Sequence, residues 1–299
     1  DANDEYLLYQ TLLGAWPRMM RNEEEFASFR NRILQYMLKA AREAKVHTSW
    51  INANERYEQA LAAFVTSLLS RSPRNRFLED MEAVQRRVAF YGRINSLSQC
   101  LLKMTSPGIP DFYQGSELWD LSLVDPDNRR PVDYQMRREY LAELKSKTAS
   151  CSGPEPLVRE LLETADDGRI KMYLVHSLLT FRRAHRRLFD EGSYLPLLAT
   201  GVRQDNVCAF ARLLASEAVL TAAPRLAVQL TGGVEVWPLG EEVWRDTTLR
   251  LPSEFEGGGF YNLLTGETLR AASDENGPAL PLGSVFRACP VAFLVSQRG

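Results

Sequence analysis

The sequence has 299 residues, 45% of them hydrophobic and 25% charged, with a formal net charge of -2. Such a length suits roughly two domains and a substantial core without covalent staples. The near-balance of charge gives no electrostatic reason to expect nucleic acid or an anionic membrane as partner, whereas a neutral partner such as a sugar fits at least as well.

The chain opens on Asp1–Tyr6 (DANDEY), without an initiator Met, and runs straight into a helical pattern. This start reads as the middle of a longer protein. Leu7, Leu8, Leu12, Leu13 and Trp16 recur at helical spacing, and Pro17 ends the run. Phe26, Phe29, Ile33, Tyr36 and Met37 form a second stripe. Asn54 suits the cap of a third helix carrying Tyr57, Leu61, Phe64, Val65 and Leu68. After a break at Ser70–Pro73, a long fourth helix carries Phe77, Met81, Val84, Val88, Tyr91, Ile94 and Leu97. All four stripes read as core faces rather than ligand boxes.

Pro107, Gly108 and Pro110 stop the helical pattern, and Ile109–Tyr113 is expected to form a short strand. Gly115–Pro131 is a polar, acidic loop, and helix returns over Asp133–Leu144. Cys151–Pro156 reads as a surface break. Ile170–Leu188 is a further amphipathic helix, whose Arg182, Arg183, Arg186 and Arg187 suit its C-terminal dipole and read as a solvated end. Near residue 190 the character changes to short apolar runs: Tyr194–Leu198, Val207–Leu213, Ala218–Ala222, Thr247–Leu251, Phe260–Leu264 and Val291–Val295. Turn signals separate them, which predicts an antiparallel β domain over 191–299 behind a helix-rich domain over 1–190.

Cys100, Cys151, Cys208 and Cys289 lie far apart, and His47, His176 and His185 show no metal-ligand spacing. Reduced thiols in a cytoplasmic protein with neither metal nor cofactor are expected. No apolar run is long enough to span a bilayer, and no signal peptide is evident.

The most informative stretch is Ser106–Tyr134, SPGIPDFYQGSELWDLSLVDPDNRRPVDY. After Gln114 and Gly115 come Glu117, Trp119, Asp120, Asp125, Asp127, Asn128, Arg129 and Arg130. Carboxylates, an amide, guanidiniums and an indole are the groups that bind sugar hydroxyls and sugar C–H faces. The same charges in a loop also suit solvated or structural ion pairs. Asp125–Arg129 is not a calcium loop, since Pro and Arg stand in the wrong places and the required Gly is absent. Lys45–Trp50 (KVHTSW) offers a lid with Trp50 as a stacking platform, or simply a loop at a helix end, where Arg42 and Glu43 finish the helix.

PGIPDFYQGSELWDL resembles the last-strand motif of the alpha-amylase superfamily, and its wording is similar to that of the maltooligosyltrehalose synthase family. DPDNRRPVDY at 125–134, KVHTSWINANERYE at 45–58, DEYLLYQTLLGAWP at 4–17, GSYLPL at 192–197 and NLLTGE at 262–267 resemble the same family, so the likeness spans the chain. It implies the helix-rich last portion of a (β/α)8 barrel followed by a C-terminal β-sandwich. It also implies an isomerase that turns the reducing-end α-1,4 link of a maltooligosaccharide into an α,α-1,1 trehalose link.

That chemistry resembles a retaining glycosidase handing the glycosyl unit back to the released glucose. It needs a nucleophilic carboxylate and a carboxylic acid roughly 5 Å apart, with water excluded. By the resemblance, the carboxylates that do this precede residue 1, and no catalytic residue is expected within the chain. Gln114, Glu117, Asp120, Asp125, Asn128, Arg129, Arg130 and Trp50 are expected to bind substrate. The implied partners are a maltooligosaccharide and the N-terminal barrel portion of the same enzyme. A noncatalytic glucan-binding or assembly module, and another glycoside hydrolase of the superfamily, stay open as alternatives.

Overall fold

A computed structural model describes residues 1–17, 20, 22–150 and 153–297. The chain forms two compact units, Asp1–Phe90 with Asp120–Val132, and Tyr91–Trp119 with Asp133–Gly299. Helix gives way to strand between Asp190 and Ser193, where the sequence pattern changes.

The first unit is built on α1 (Ala2–Ala15), α2 (Glu23–Ala44), α3 (Glu55–Leu68) and the start of α4 (Arg76–Thr105). Each of the first three has a side-chain N-cap. Asp1 accepts from the Asn3 N–H at 2.6 Å, Asn22 from that of Glu25 at 2.8 Å, and Asn54 from that of Tyr57 at 3.1 Å. Glu23, Glu24 and Glu25 add charge that complements the α2 dipole. Leu8, Leu12, Phe26, Phe29, Ile33, Met37, Leu61 and Val65 close one core, with Trp16 edge-on to Phe29 at 5.3 Å. The fourth stripe is shifted from its expected place. Val84 and Val88 are exposed, and Gln85 lies buried, donating to the Trp16 carbonyl at 3.3 Å. A single amide that caps a loop carbonyl displaces the apolar pattern there.

In the second unit, the end of α4 packs with α5 (Tyr134–Ser150), α6 (Glu155–Glu163), α7 (Arg169–Ala184) and α8 (Arg186–Asp190). The expected helix over Ile170–Leu188 is broken at His185. The strands follow as β1 (Ser193–Leu197), β2 (Ala199–Thr200), β3 (Val207–Leu214) and β4 (Glu217–Pro224). Short helices α9 (Ala227–Leu230) and α10 (Gly240–Trp244) precede β5 (Thr248–Arg250), β6 (Gly259–Asn262), β7 (Thr268–Arg270), β8 (Ala272–Asp274) and β9 (Gly277–Pro281). Helix α11 (Leu282–Val285) and β10 (Ala292–Ser296) complete the order.

Among the described residues ten strands make a six-stranded sheet, β1-β3-β4-β10-β6-β7, and a four-stranded sheet, β2-β5-β9-β8. Every described pairing is antiparallel. The period of two sorts the central strands between two cores. Val219, Ala223 and Phe293 face the helices, whereas Leu220, Ala222, Ala292 and Leu294 pack with Leu249 and Leu280 of the smaller sheet. Burial on both faces matches β4, whose residues after Glu217 are all buried and, but for Thr221, apolar.

The strand expected over Ile109–Tyr113 does not form, and Ile109 is 94% exposed. Pro110 has no N–H to give a ladder, and the segment finds no strand to pair with among the described residues. A lone extended segment has no reason to be a strand. The surface break expected over Cys151–Pro156 falls partly on Cys151 and Ser152, which lie outside the described residues; beyond them α6 starts at Glu155. Cys100, Cys208 and Cys289 are free thiols.

Arg212 on β3 is 2% exposed and faces no carboxylate in hydrogen-bond range among the described residues. Its guanidinium donates to the carbonyls of Phe189 and Gly192, both at 2.8 Å, and of Ser193 at 3.3 Å and Thr105 at 3.5 Å. These are the ends of α8 and α4 and the start of β1. Burial and the nearby Arg182 push its pKa down from the ordinary guanidinium value. Arg182 departs from the solvated role expected of it, donating to the carbonyls of Met104 at 2.8 Å and Gly108 at 2.6 Å. Replacing Arg212 by Met keeps the bulk and strips the donors from several buried carbonyls. A loss of about 2–5 kcal/mol is expected in denaturant unfolding, since each orphaned buried acceptor costs about 1–3 kcal/mol. An Arg212→Met chain as stable as the parent would remove this role.

Candidate functional site

The informative loop is divided between the two units, with Gln114 and Glu117 in one and Asp120, Asp125, Asn128, Arg129 and Arg130 in the other. Each is described by itself.

In the first unit, residues 120–132 are organised by Asp127. Arg32 of α2 grips its carboxylate through two nitrogens at 2.9 and 2.8 Å, and donates to the Leu121 carbonyl at 2.9 Å. The Leu123 N–H adds 2.7 Å, and Arg130 approaches to 2.9 Å. Burial pushes the Asp127 carboxyl up, but Arg32, the Leu123 N–H and Arg130 outweigh it and hold it below its ordinary value. Lys39, also on α2, donates to the Asp125 carbonyl. The loop is thus fastened to one helix by a fork and a point charge.

Around that anchor the sequence-expected residues take different parts. Asp120 is exposed and caps its own turn, accepting from the Ser122 N–H at 3.0 Å. Asp125 pairs with the exposed Arg129. Asn128 is half-buried, and its Oδ1 has no hydrogen-bond partner. Asp125 and Arg130 line a cleft of about 590 Å³ against α2, together with Asn31, Gln35 and Tyr36.

Trp50 stands elsewhere in the same unit, 59% exposed on the turn after α2. Arg42 lies 4.8 Å from its ring centroid. Arg42 also donates twice to Glu58 of α3, at 2.9 and 2.6 Å, and Thr48 donates to the same carboxylate at 2.7 Å. These bonds, Arg42 first, hold the Glu58 carboxyl down at about 2. Arg42 therefore does more than finish its helix. It ties α2 to α3 and backs the indole.

In the second unit, Gln114 is exposed and Gly115 is buried with a left-handed φ of 86°. Arg137 of α5 fixes this turn, donating to the Gly115 carbonyl at 2.9 Å and pairing with Glu117 at 2.5 Å. Glu117 and Arg137 border a cleft of about 550 Å³ with His176 and Arg183 of α7. The Trp119 indole donates to the Ala165 carbonyl at 2.6 Å, so its N–H is held inside the protein. Gly168, with φ of 81°, passes so close that a Cβ would meet the Trp119 backbone nitrogen at 3.0 Å.

Arg32, Lys39, Arg42, Glu58 and Arg137 went unread in the sequence as site residues. Their only signal there is charge on an amphipathic helix, which a solvated face shares. The carboxyls of Glu58, Glu143, Glu191 and Asp274 are all pushed down, by Arg42, Lys147, Arg187 and Arg250 first. A general acid needs the opposite displacement. Among the described residues no helix is long and apolar enough to cross a membrane, and no cluster of three or more His, Cys, Asp or Glu is placed to hold a metal.

No family model matches the chain. A curated Mycobacterium tuberculosis protein bearing the name of a maltooligosyl trehalose synthase is 34% identical over 295 residues, which is 99% of this chain and 32% of that protein. The solved structure of the maltooligosyltrehalose synthase from Arthrobacter ramosus matches at a TM-score of 0.74 and 30% identity, over 98% of this chain and 32% of its own. A second crystal structure of a maltooligosyl trehalose synthase matches at 0.69 and 30%, over 99% and 33%. The chain therefore spans about a third of the length of the relatives it matches. The family likeness read from the motifs is the one these comparisons find.

Glu58 gives a pH signature. Its folded pKa, about 2, lies below its ordinary 4.5, so its bonds to Arg42 and Thr48 stabilise fully above pH 4.5. That contribution is lost as pH falls towards 2. The difference in melting temperature between the parent and Glu58→Gln is expected to shrink over this window. A difference independent of pH would show that the carboxylate does not carry the bracket.

Proposed function

We propose that this chain, related along 99% of its length to a third of a maltooligosyltrehalose synthase, is the C-terminal portion of such an enzyme. In this reading residues 1–190 complete an amylase-like barrel with helical insertions, and 191–299 are its C-terminal β-sandwich. The enzyme is an intramolecular transferase of the alpha-amylase superfamily acting in the cytoplasm. It moves the reducing-end α-1,4 link of a maltooligosaccharide to an α,α-1,1 link.

The observation that carries the reading is the nearly complete match of this chain to solved relatives with a common fold. The chemistry of the loops supports it. Retaining transfer needs one carboxylic acid kept protonated and one carboxylate aimed at the anomeric carbon. Asp125 and Glu117 are each paired with a guanidinium, and Asp127 is gripped by Arg32. Carboxylates held this way suit positioning and hydroxyl recognition better than proton delivery. The reaction's acid and nucleophile then come from the N-terminal barrel portion, which is the partner this reading requires. Gln114, Glu117, Asp120, Asp125, Asn128, Arg129, Arg130 and Trp50 form or support the sugar subsites.

Two outcomes test it. The 299-residue chain alone is expected to form no non-reducing product from maltopentaose, while the full-length natural polypeptide does. Robust trehalose-ended product from the chain alone would place the acid and nucleophile within it. In the full-length polypeptide, Arg129→Ala is expected to lower kcat/KM about tenfold or more with little change in melting temperature, because a charged hydrogen bond is worth roughly 1.5–3 kcal/mol. Unchanged kinetics for Arg129→Ala, Glu117→Ala and Asp125→Ala together would leave these loops as surface.

A further inference from the structure

The outer face of α2 carries a row of polar side chains, of which Lys39 fastens the 120–132 loop. Glu24, Ser28, Asn31, Gln35 and Lys39 follow one another at steps of four, three, four and four residues, which keeps them on one side of a helix. All five line the same cleft of about 590 Å³, whose other wall is Val124, Asp125, Pro126, Asp127 and Arg130. A neighbouring cavity of about 540 Å³ shares Glu24, Ser28, Arg32 and Arg130 with it, so the groove continues along the helix towards Asn22. From Glu24 to Gln35 the helix rises about 17 Å. The groove is long rather than round.

Its chemistry selects a ligand class. The charged residues lining the cleft balance, with Arg32, Lys39 and Arg130 against Glu24, Asp125 and Asp127. Arg32 and Arg130 are engaged with Asp127, and Lys39 with the Asp125 carbonyl and Glu43. An anion would therefore have to break existing pairs. Ser28, Asn31 and Gln35 are exposed, and among the described residues their side chains carry no hydrogen bond to another protein group. A hydroxyl and two amides offer both donors and acceptors, which is what a chain of neutral hydroxyls needs. Tyr36, Val124 and Pro126 supply apolar surface beside them, matching the C–H faces of a sugar ring.

We propose that the α2 groove is an extended binding site for a linear neutral glucan, with Asn31 and Gln35 as its hydrogen-bonding floor. The site rests on the proposed function in that it takes the same substrate class. It goes beyond it in assigning binding to a helix face that no motif marks. The groove is long enough to hold a stretch of glucan, so it sets affinity for the chain rather than its rate of reaction. Asn31, Gln35 and Ser28 take no part in the chemistry.

Calorimetric titration of the full-length natural polypeptide with maltohexaose tests this, alongside the Asn31→Ala/Gln35→Ala double variant. Ser28→Trp fills the groove from a position that is exposed in this chain and lies outside its core. Both variants are expected to weaken maltohexaose binding about fivefold or more, the scale of one or two lost neutral hydrogen bonds, at unchanged melting temperature. Unchanged affinity in both would overturn the groove. Glu117→Ala and Arg129→Ala, which lie outside it, are titrated in parallel. If they weaken binding while the groove variants do not, the groove falls and the proposed function stands; if none of the four does, both fall. Inorganic phosphate that binds the parent but not Ser28→Trp would overturn the neutral-ligand assignment.

Discussion

The second unit depends on a guanidinium placed where three chain segments end. Arg212 reaches from β3 to the carbonyls left unpaired at the C-terminal ends of α4 and α8 and at the start of β1. Helix termini leave their last carbonyls without intrahelical partners, and burying them bare is costly. An Arg suits this task better than a Lys, because its planar fork meets several acceptors at once and its weaker hydration lowers the cost of burial. Helices and sheet are thereby joined through polar bonds as well as apolar packing. Arg182 repeats the device one layer out, closing the turn after α4 through Met104 and Gly108. The segment that leads to Gln114 and Glu117 thus starts from a fixed point.

The same logic governs the loops. Both clusters of expected site residues are held by an Arg on a neighbouring helix: Arg32 for residues 121–127 and Arg137 for residues 115–117. A charged residue in such a loop can be a scaffold or a contact. Asp127 has its oxygens engaged and is scaffold. Arg129, paired with Asp125, and Gln114 are exposed. The indole of Trp119, which the sequence grouped with the sugar-facing residues of the loop, is turned inward to Ala165. The exposed aromatic that fits a stacking role is Trp50, backed by a guanidinium that Glu58 keeps in place.

Much of the fold was legible because periodicity is a local property. The helices over 2–15, 23–44 and 55–68 follow from their stripes and caps and that over 76–105 from its apolar spacing, and each of the six expected apolar runs after residue 190 overlaps a strand. The strands without a marked run, β2, β7, β8 and β9, are short: β2, β7 and β8 have no buried residue, and β9 buries its middle but is flanked by Gly277–Pro278 and Pro281, which read as turn. Ile109–Tyr113 failed for the opposite reason. Its composition suits a strand, but a strand is a relation between segments, and no partner stands beside it among the described residues. The site was legible only as a set of residue types. Which of them meet depended on Arg32, Lys39 and Arg137, whose spacing on their helices is that of any solvated charge.

Charge pairing also decides what these loops can do. A carboxylate gripped by a guanidinium has its proton affinity lowered, and a lowered pKa suits a permanent acceptor. A lone carboxyl in an apolar pocket is raised and suits proton delivery. The displaced carboxyls of Glu58 and Asp127 belong to the first kind. Both carboxylates spend that acceptor capacity inside the protein, Asp127 on Arg32 and the Leu123 N–H, Glu58 on Arg42 and Thr48. The fastened loops and the cross-tied helix ends are held in place by such charge pairs and by polar bonds to backbone.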